Sequence, residues 1–310
     1  LELDAALSLL EGSLGLVGLA ATASAYVQRR LPGARTRRRA LGLGAFAAFG
    51  LVEWSKRVEP SWTEVTHVEV KVTDAPFRAV LLSDFHAGRA SRSDIERAVA
   101  LTNDASPDVI LLAGDYISGY ELTQERRASL EGLRGLRARR GVLAVMGNHD
   151  SEPYGDDVPR RGAVSDVLRG FGYRVLANEA VDLGSFWLVG LEDVQAGLTD
   201  TRAAFASVPA GARVVVLAHD WHALPEAPMA LGLVGHTHGG QVCVPFTSLC
   251  AGPPRDRPFV RGEHVWPFGG RLYVTRGLGL AKVPARLGCR PEVTVLELGP
   301  RDPAERGDSP

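Results

Sequence analysis

The sequence predicts an α/β fold: strand–helix–strand units first, then a strand-rich half. Three observations carry this. Short apolar runs at residues 78–82, 109–112 and 142–145 alternate with helix-like segments, which is the pattern of βαβ units. Each run ends on a polar group: Ser83-Asp84-Phe85-His86, Gly114-Asp115, and Gly147-Asn148-His149-Asp150. In such sheets ligands sit beyond the carboxyl ends of the strands. Beyond Gly172, strand-like runs outnumber helix-like ones, as in a mixed sheet packed on the first with helices outside.

The elements follow in chain order. Residues 12–28 carry no charge, and with the single Glu11 the apolar run extends back to Ala5; about 20 such residues span a bilayer. Residues 40–52 are also uncharged, but would cover only about two thirds of the hydrocarbon core. Between the two lie Arg29, Arg30, Arg35, Arg37, Arg38 and Arg39, and arginines flanking membrane segments stay cytoplasmic. If residues 40–52 cross, the following domain is extracytoplasmic; if they lie in the interface, it stands on the cytoplasmic face. Thr36-Arg37-Arg38-Arg39-Ala40-Leu41 before a Gly/Ala-rich run resembles a twin-arginine export signal. The long stretch ahead of it and the lack of an Ala-x-Ala cleavage site point to a retained anchor. Residues 1–54 are therefore expected to be an apolar, helical, membrane-associated region.

A polar connector (55–64) and the main domain (65–298) come next. Val68-Glu69-Val70-Lys71-Val72 alternates as a half-buried strand does. Residues 94–103 read as a helix capped by Ser91 or Ser93, and 122–139 as a second helix. Further strands are expected at 173–176, 186–191, 214–217, 231–234, 272–275 and 293–296, with a polar, frayed tail at 299–310.

Composition excludes little. The chain has 310 residues, 45% hydrophobic, with net charge -1. That allows a substantial core and gives no global sign of nucleic-acid binding. Cys243, Cys250 and Cys289 are too few for a disulfide framework or a zinc–thiolate site. They read as buried or idle thiols, with a Cys243–Cys250 disulfide left open.

Leu217-Ala218-His219 and Gly235-His236-Thr237-His238 complete a series of apolar runs ending in Asp, Asn or His. These residue types bind hard and borderline metals. Asp84 and His86, two apart at a strand end, would point the same way on a regular strand. Asp115 has two oxygens with which to bridge. The expected sites are Asp84, His86, Asp115 and His238 for one cation, and Asp115, Asn148, His219 and His236 for the other. Two divalent cations polarise a phosphoryl group and lower the pKa of a bridging water to give a hydroxide nucleophile. His149 is left as general acid on the leaving oxygen, with Asp150 expected to orient its ring.

These motifs resemble those of the calcineurin-like metallophosphoesterases. The family pattern D-x-H, G-D, G-N-H-D/E, H and G-H-x-H is met by Asp84-x-His86, Gly114-Asp115, Gly147-Asn148-His149-Asp150, His219 and Gly235-His236-Thr237-His238, and the likeness covers about residues 78–296. It implies a four-layer α/β/β/α sandwich and two metals drawn from Mn, Fe and Zn, with Mn foremost. The chain is similar to a bacterial membrane-associated or twin-arginine-exported phosphodiesterase subgroup. The likeness there rests on Glu59-Pro60-Ser61-Trp62, Gly239-Gly240-Gln241 and Tyr273-Val274-Thr275-Arg276-Gly277-Leu278-Gly279. Enzymes similar to that subgroup include UDP-2,3-diacylglucosamine pyrophosphatases of lipid A synthesis. The implied activity is cleavage of a phosphodiester or pyrophosphate bond, on a lipid-linked or envelope substrate. The alternatives are an exported general phosphodiesterase or phosphomonoesterase, and a metal-free scaffold; the scaffold predicts missing ligands, and none is missing. Two departures are Asp84-Phe85-His86-Ala87-Gly88 and Asp220-Trp221-His222 after His219.

Outside the pattern, His67 reads as an exposed strand residue, while His222 and His264 lie nearer the site or in a loop. Arg276 and Arg286 are candidates for a second phosphate or a headgroup, with structural pairing equally open. Gly239 and Gly240 are expected to let the backbone pass close to the metals. Trp221, Trp266 and Phe268 read as core, with a groove-lining role as the alternative.

Overall fold

The computed structural model describes residues 33–73, 75–119, 121–151, 160–244, 249–250 and 258–300. It divides into two compact units, Leu1–Glu59 and Pro60–Pro310.

In the first unit the described part is dominated by α1 (Ala34–Arg57). The helix runs on through Ser55-Lys56-Arg57, where a connector was expected. Leu43, Phe46, Phe49 and Leu51 are all exposed on it. Among the described residues no helix is long and apolar enough to cross a membrane. Of the two alternatives for residues 40–52, crossing is the one this helix does not meet: the uncharged run sits inside a helix that carries charge at both ends. The other apolar stretch, 5–28, lies outside the described residues.

The second unit is built on two six-stranded sheets. The first holds β1 (Glu64–Thr73), β2 (Phe77–Leu82), β3 (Val109–Ala113), β4 (Val142–Val145), β5 (Arg174–Val175) and β12 (Glu292–Pro300), in the order β1-β12-β2-β3-β4-β5. β2 to β5 are mutually parallel, as the βαβ reading requires. β12 inserts between β1 and β2, parallel to β1 and antiparallel to β2, so the sheet is mixed. β12 runs to Pro300, and Gly299 pairs with Lys71, so residues 299 and 300 are strand rather than tail; the rest of the expected tail, 301–310, lies outside the described residues. The second sheet orders β10 (Gly262–Val265), β11 (Arg271–Val274), β9 (Leu231–Val234), β8 (Val214–Leu217), β7 (Trp187–Gly190) and β6 (Glu179–Asp182). β6 and β10 escape the sequence reading because none of their residues is fully buried, so neither forms an apolar run.

Alternation along the strands sorts the core into layers. Leu81, Leu111 and Leu143 meet Leu188, Leu217 and Leu233 between the sheets. Val80, Leu82, Ile110 and Leu112 face the other way, onto helices α2 (Arg92–Asp104) and α5 (Arg160–Gly170). On the far face of the second sheet Val189, Val216, Val234 and Val274 pack with Ala204 of the short α6 (Thr201–Phe205) and with Trp266. The result is the four-layer α/β/β/α sandwich.

Local sequence explains the helix limits. Ser91 caps α2 by accepting from the Asp94 N–H at 3.2 Å. The expected helix at 122–139 is instead α3 (Gln124–Leu130) followed by a 3₁₀ turn, Glu131–Gly135. Gly132 there lies against Ile95, where a Cβ would be 3.0 Å from Ile95 Cγ2. The tighter turn keeps that approach and buries Leu130 and Leu133.

Candidate metal centre

All the polar motifs emerge at carboxyl ends of parallel strands. Asp84 and His86 follow β2, Asp115 follows β3, and Asn148 and His149 open the one-turn α4 (Asn148–Ser151) after β4. From the second sheet, His219 follows β8, and His236 and His238 follow β9. The strand ends alone do not aim the side chains. Asp84, His86, Asp115, His236 and His238 all have φ between 46° and 67°, a left-handed conformation that is costly for non-glycine residues and collects at functional sites. The expectation that pleating aligns Asp84 with His86 is thereby corrected: β2 ends at Leu82, and consecutive left-handed turns swing both side chains inward.

The seven expected ligands converge in two groups that share Asp115. On one side, His86 Nε2 lies 3.4 Å from Asp115 Oδ2 and 3.0 Å from His238 Nε2, which is 3.4 Å from Asp84 Oδ1. On the other, His219 Nε2 lies 3.4 Å from Asp115 Oδ1, 3.2 Å from Asn148 Oδ1 and 3.0 Å from His236 Nδ1.

The donor set fits divalent cations. Asp84 Oδ1 is buried and has no hydrogen-bond partner among the described residues, an orphan acceptor aimed at the imidazoles. Burial lowers His86 to about 3 and drives His238 well down, which keeps both rings neutral, the form that ligates. Burial raises Asp84 to about 6 against the pull of His219. For Asp115 burial acts upward too, but His219 outweighs it and holds the carboxylate ionised. Burial opposes protonation of His219, yet Asp115 raises it well above the ordinary range; a cation between the two takes the place of that proton.

Outer contacts fix the rings. His219 Nδ1 is 2.7 Å from the Ala113 carbonyl, so its N–H donates there and Nε2 faces the cluster. His236 turns Nδ1 to the cluster, while its Nε2 meets the Gln195 amide at 2.9 Å and Asp220 Oδ2 at 3.6 Å. Gln195 was missed from sequence. Its signal was present: Leu191-Glu192-Asp193 ends β7 with acids after an apolar run, as the recognised motifs do.

His149 stands beside the first group, its ring 5.0 Å from that of His86. Its Nδ1 lies 3.2 Å from the Gly119 carbonyl, to which the Nδ1–H donates. Asp150 does not orient this ring. Its buried carboxylate instead accepts the backbone N–H groups of Asp115 (2.8 Å), Tyr116 (3.0 Å) and Gly147 (3.0 Å). Adjacent residues on a helical turn diverge by about 100°, which sends Asp150 into the loops while His149 faces out.

The remaining candidates separate cleanly. His67 is exposed on β1. Arg276 pairs with Glu64 and Glu292, and Arg286 is spent on the carbonyls of Gly277, Gly279 and Cys289, so both are structural. Gly239 and Gly240 pack on Arg276, Cys289 and the Cys243–Cys250 disulfide rather than on ligand side chains. Trp266 is buried and donates to the Pro225 carbonyl, while Phe268 is exposed. His264 contacts the Arg261 carbonyl. His222 is held by Asp220 Oδ1 at 3.0 Å and stacks on Trp221.

The sequence model of the calcineurin-like phosphoesterases matches residues 77–240, which span all the candidate ligands. The chain belongs to this family. It is similar to the phosphodiesterase YaeI of Escherichia coli (strain K12), 36% identical over 253 residues, covering 77% of this chain and 90% of that one. The metallophosphoesterase YkuE of Bacillus subtilis (strain 168) is 30% identical over 271 residues, 84% and 93% of the two chains. A transmembrane protein with a metallophosphoesterase domain from Danio rerio is 30% identical over 277 residues, 81% of this chain and 60% of that protein. As a member, the chain is a metal-dependent phosphoric ester hydrolase.

Proposed function

We propose that the chain cleaves phosphodiester or pyrophosphate bonds with two divalent cations, Mn foremost. Asp84, His86, Asp115 and His238 would hold one, and Asp115, Asn148, His219 and His236 the other. The observation that carries this is the pair of ligand groups meeting at the two oxygens of Asp115. When bound, the cations supply Lewis acidity to the phosphoryl oxygens and a water ionised near neutral pH. His149 would give the leaving oxygen the Nε2 proton of its doubly protonated ring, while its Nδ1–H donates to the Gly119 carbonyl. Asp150 ties the loops bearing Asp115 and Gly147 together, so its contribution is to hold these groups in register.

The substrate is assigned to the membrane or envelope. Supporting this are the exposed Leu43, Phe46 and Phe49 of α1, with Arg35, Arg38 and Arg39 exposed on its first turns, a combination suited to an anionic lipid surface. The Cys243–Cys250 disulfide favours an oxidising, extracytoplasmic compartment, and with it an exported envelope phosphodiesterase. The competing reading, cytoplasmic cleavage of UDP-2,3-diacylglucosamine to UMP and a lipid monophosphate, is what the test separates.

The Mn-reconstituted protein is assayed on UDP-2,3-diacylglucosamine and on bis(4-nitrophenyl) phosphate. Cleavage of the diester is the expected result in either case; UMP release with far better kinetics selects the UDP-linked lipid, and diester cleavage without UMP release selects the exported envelope phosphodiesterase. His149→Gln should lower kcat roughly 10²- to 10⁴-fold while keeping the metals, and Asp115→Asn should lose both. Full activity in Asp115→Asn would refute the assigned centre.

A further inference from the structure

We infer that Arg89 and Arg126 form an anion subsite beside His149 that holds a second phosphate carried on the leaving group. The preferred substrate class is then a pyrophosphate-linked diester. The inference rests on the reading of His149 as proton donor.

Contacts place the Arg126 side chain and the backbone of Arg89 on the His149 side of the centre. Arg89 follows His86 by three residues, and its backbone N–H donates to the His86 carbonyl at 2.9 Å. Between them, Gly88 is overlaid by Arg126: a Cβ on Gly88 would stand 3.0 Å from Arg126 Cγ and 3.3 Å from its Nε. Arg126 also lies along Gly119, where a Cβ would be 3.1 Å from Nη2. Gly119 is the residue whose carbonyl meets His149 Nδ1. The Arg126 guanidinium is therefore one residue removed from the ring that protonates the leaving oxygen.

Neither arginine of this pair is neutralised by a carboxylate among the described residues. Arg78, Arg92, Arg134, Arg174, Arg271 and Arg276 each have a carboxylate partner. Among the described residues Arg89 and Arg126 have none; the Arg126 guanidinium donates to the Glu121 carbonyl. Burial, and then the Arg126 charge, lower the Arg89 pKa. An Arg126 guanidinium so placed, with Arg89 on the adjoining loop and no carboxylate bonded to either, is matched by phosphate, whose oxygens accept from guanidinium groups.

The reaction then balances simply. The water oxygen bonds to the attacked phosphorus as its bond to the bridging oxygen breaks. That oxygen leaves with the bond's electron pair as part of the second phosphate and takes a proton from His149, while the water's second proton passes to solvent. The arginines hold the departing phosphate, which a leaving alcohol or phenol does not offer.

The test uses the full chain with Mn, as wild type, Arg89→Ala, Arg126→Ala and Arg89→Lys. Activity is measured on UDP-glucose and on bis(4-nitrophenyl) phosphate, and binding of methylenediphosphonate and of inorganic phosphate by calorimetry. Each alanine variant should lower the ratio of kcat/KM for UDP-glucose over the diester about tenfold, as loss of one charge-assisted contact does. Methylenediphosphonate binding should weaken more than phosphate binding, and Arg89→Lys should recover part of each effect. An unchanged ratio with unchanged methylenediphosphonate binding overturns the subsite. A wild type that cleaves the diester but neither cleaves UDP-glucose nor prefers methylenediphosphonate overturns it while sparing the proposed function. A wild type inactive on both substrates removes the proposed function and the subsite with it.

Discussion

Replacing Gly147 by alanine tests whether the centre depends on the close approach of two strand ends. A Cβ on Gly147 would stand 2.3 Å from Asp115 Oδ1 and 2.5 Å from the Asp115 backbone N. Ordinary contact begins near 3.4 Å, so about 1 Å must be found, and because a backbone atom is involved a rotamer change cannot supply it. Overpacking of this kind costs roughly 1–3 kcal/mol. The functional loss should be larger, because Asp115 serves both ligand groups, and a 1 Å misplacement costs about 10²-fold in rate. Gly172→Ala is the control. Gly172 has φ of 85° and nothing within 4 Å of its would-be Cβ, so alanine there pays only the left-handed backbone penalty of about 1–2 kcal/mol, far from the metals. Urea midpoints, bound metal by plasma mass spectrometry and kcat/KM on bis(4-nitrophenyl) phosphate are read for both. Gly147→Ala should lose metal and activity, while Gly172→Ala should lose stability alone. Full metal content and activity within about threefold of wild type in Gly147→Ala would refute the reasoning, since a 1 Å shift predicts far more.

Three further outcomes are expected. Asp220→Asn should weaken Mn binding about 10- to 100-fold in one of two resolved steps, because Asp220 Oδ2 faces the outer nitrogen of His236, a ligand of one group; a stepwise titration checks this, and equal weakening of both steps counts against it. Burial would raise Glu292, but Arg276 and its backbone N–H outweigh that and hold it below the usual 4.5. A depressed carboxylate stabilises the fold above its unfolded pKa, so the melting temperature should fall as pH drops below about 4.5, and Glu292→Gln should lower it at pH 7 while flattening that acid limb. Reducing Cys243–Cys250, which are 7 residues apart, should cost about 2–3 kcal/mol by the chain-entropy estimate; a thermal melt with and without reductant reads it, with Cys289→Ala showing that the buried third thiol is not responsible.

Much of the centre was legible because its chemistry is local in sequence. Asp84, Asp115 and Asn148 each close an apolar run of the first sheet, and the strand–helix period places those ends side by side. What sequence could not supply was direction. Strand alternation put Asp84 and His86 on one side for the wrong reason: both sit past the end of β2 in left-handed turns, and a backbone conformation set by tertiary packing leaves no period to read. Asp150 shows the same limit. Adjacent to His149 in sequence, it reads as that ring's partner, yet one helical step carries it into a cradle of backbone amides from Asp115, Tyr116 and Gly147.

The arginines fail in the instructive direction. Arg276 and Arg286 stand in the segment that follows the last histidine motif, so sequence proximity made them phosphate candidates, but Glu292 and a ring of carbonyls had already claimed them. Arg89 and Arg126 are 37 positions apart in the sequence and come to the same rim only because the loop after β2 packs on the loop after β3, with Gly88 and Gly119 leaving room for the Arg126 side chain. Ligands come as motifs because each must leave a particular strand end. A substrate-facing charge needs only to arrive at the rim, from whichever loop reaches it, and is found by asking which cations the fold leaves without an anion.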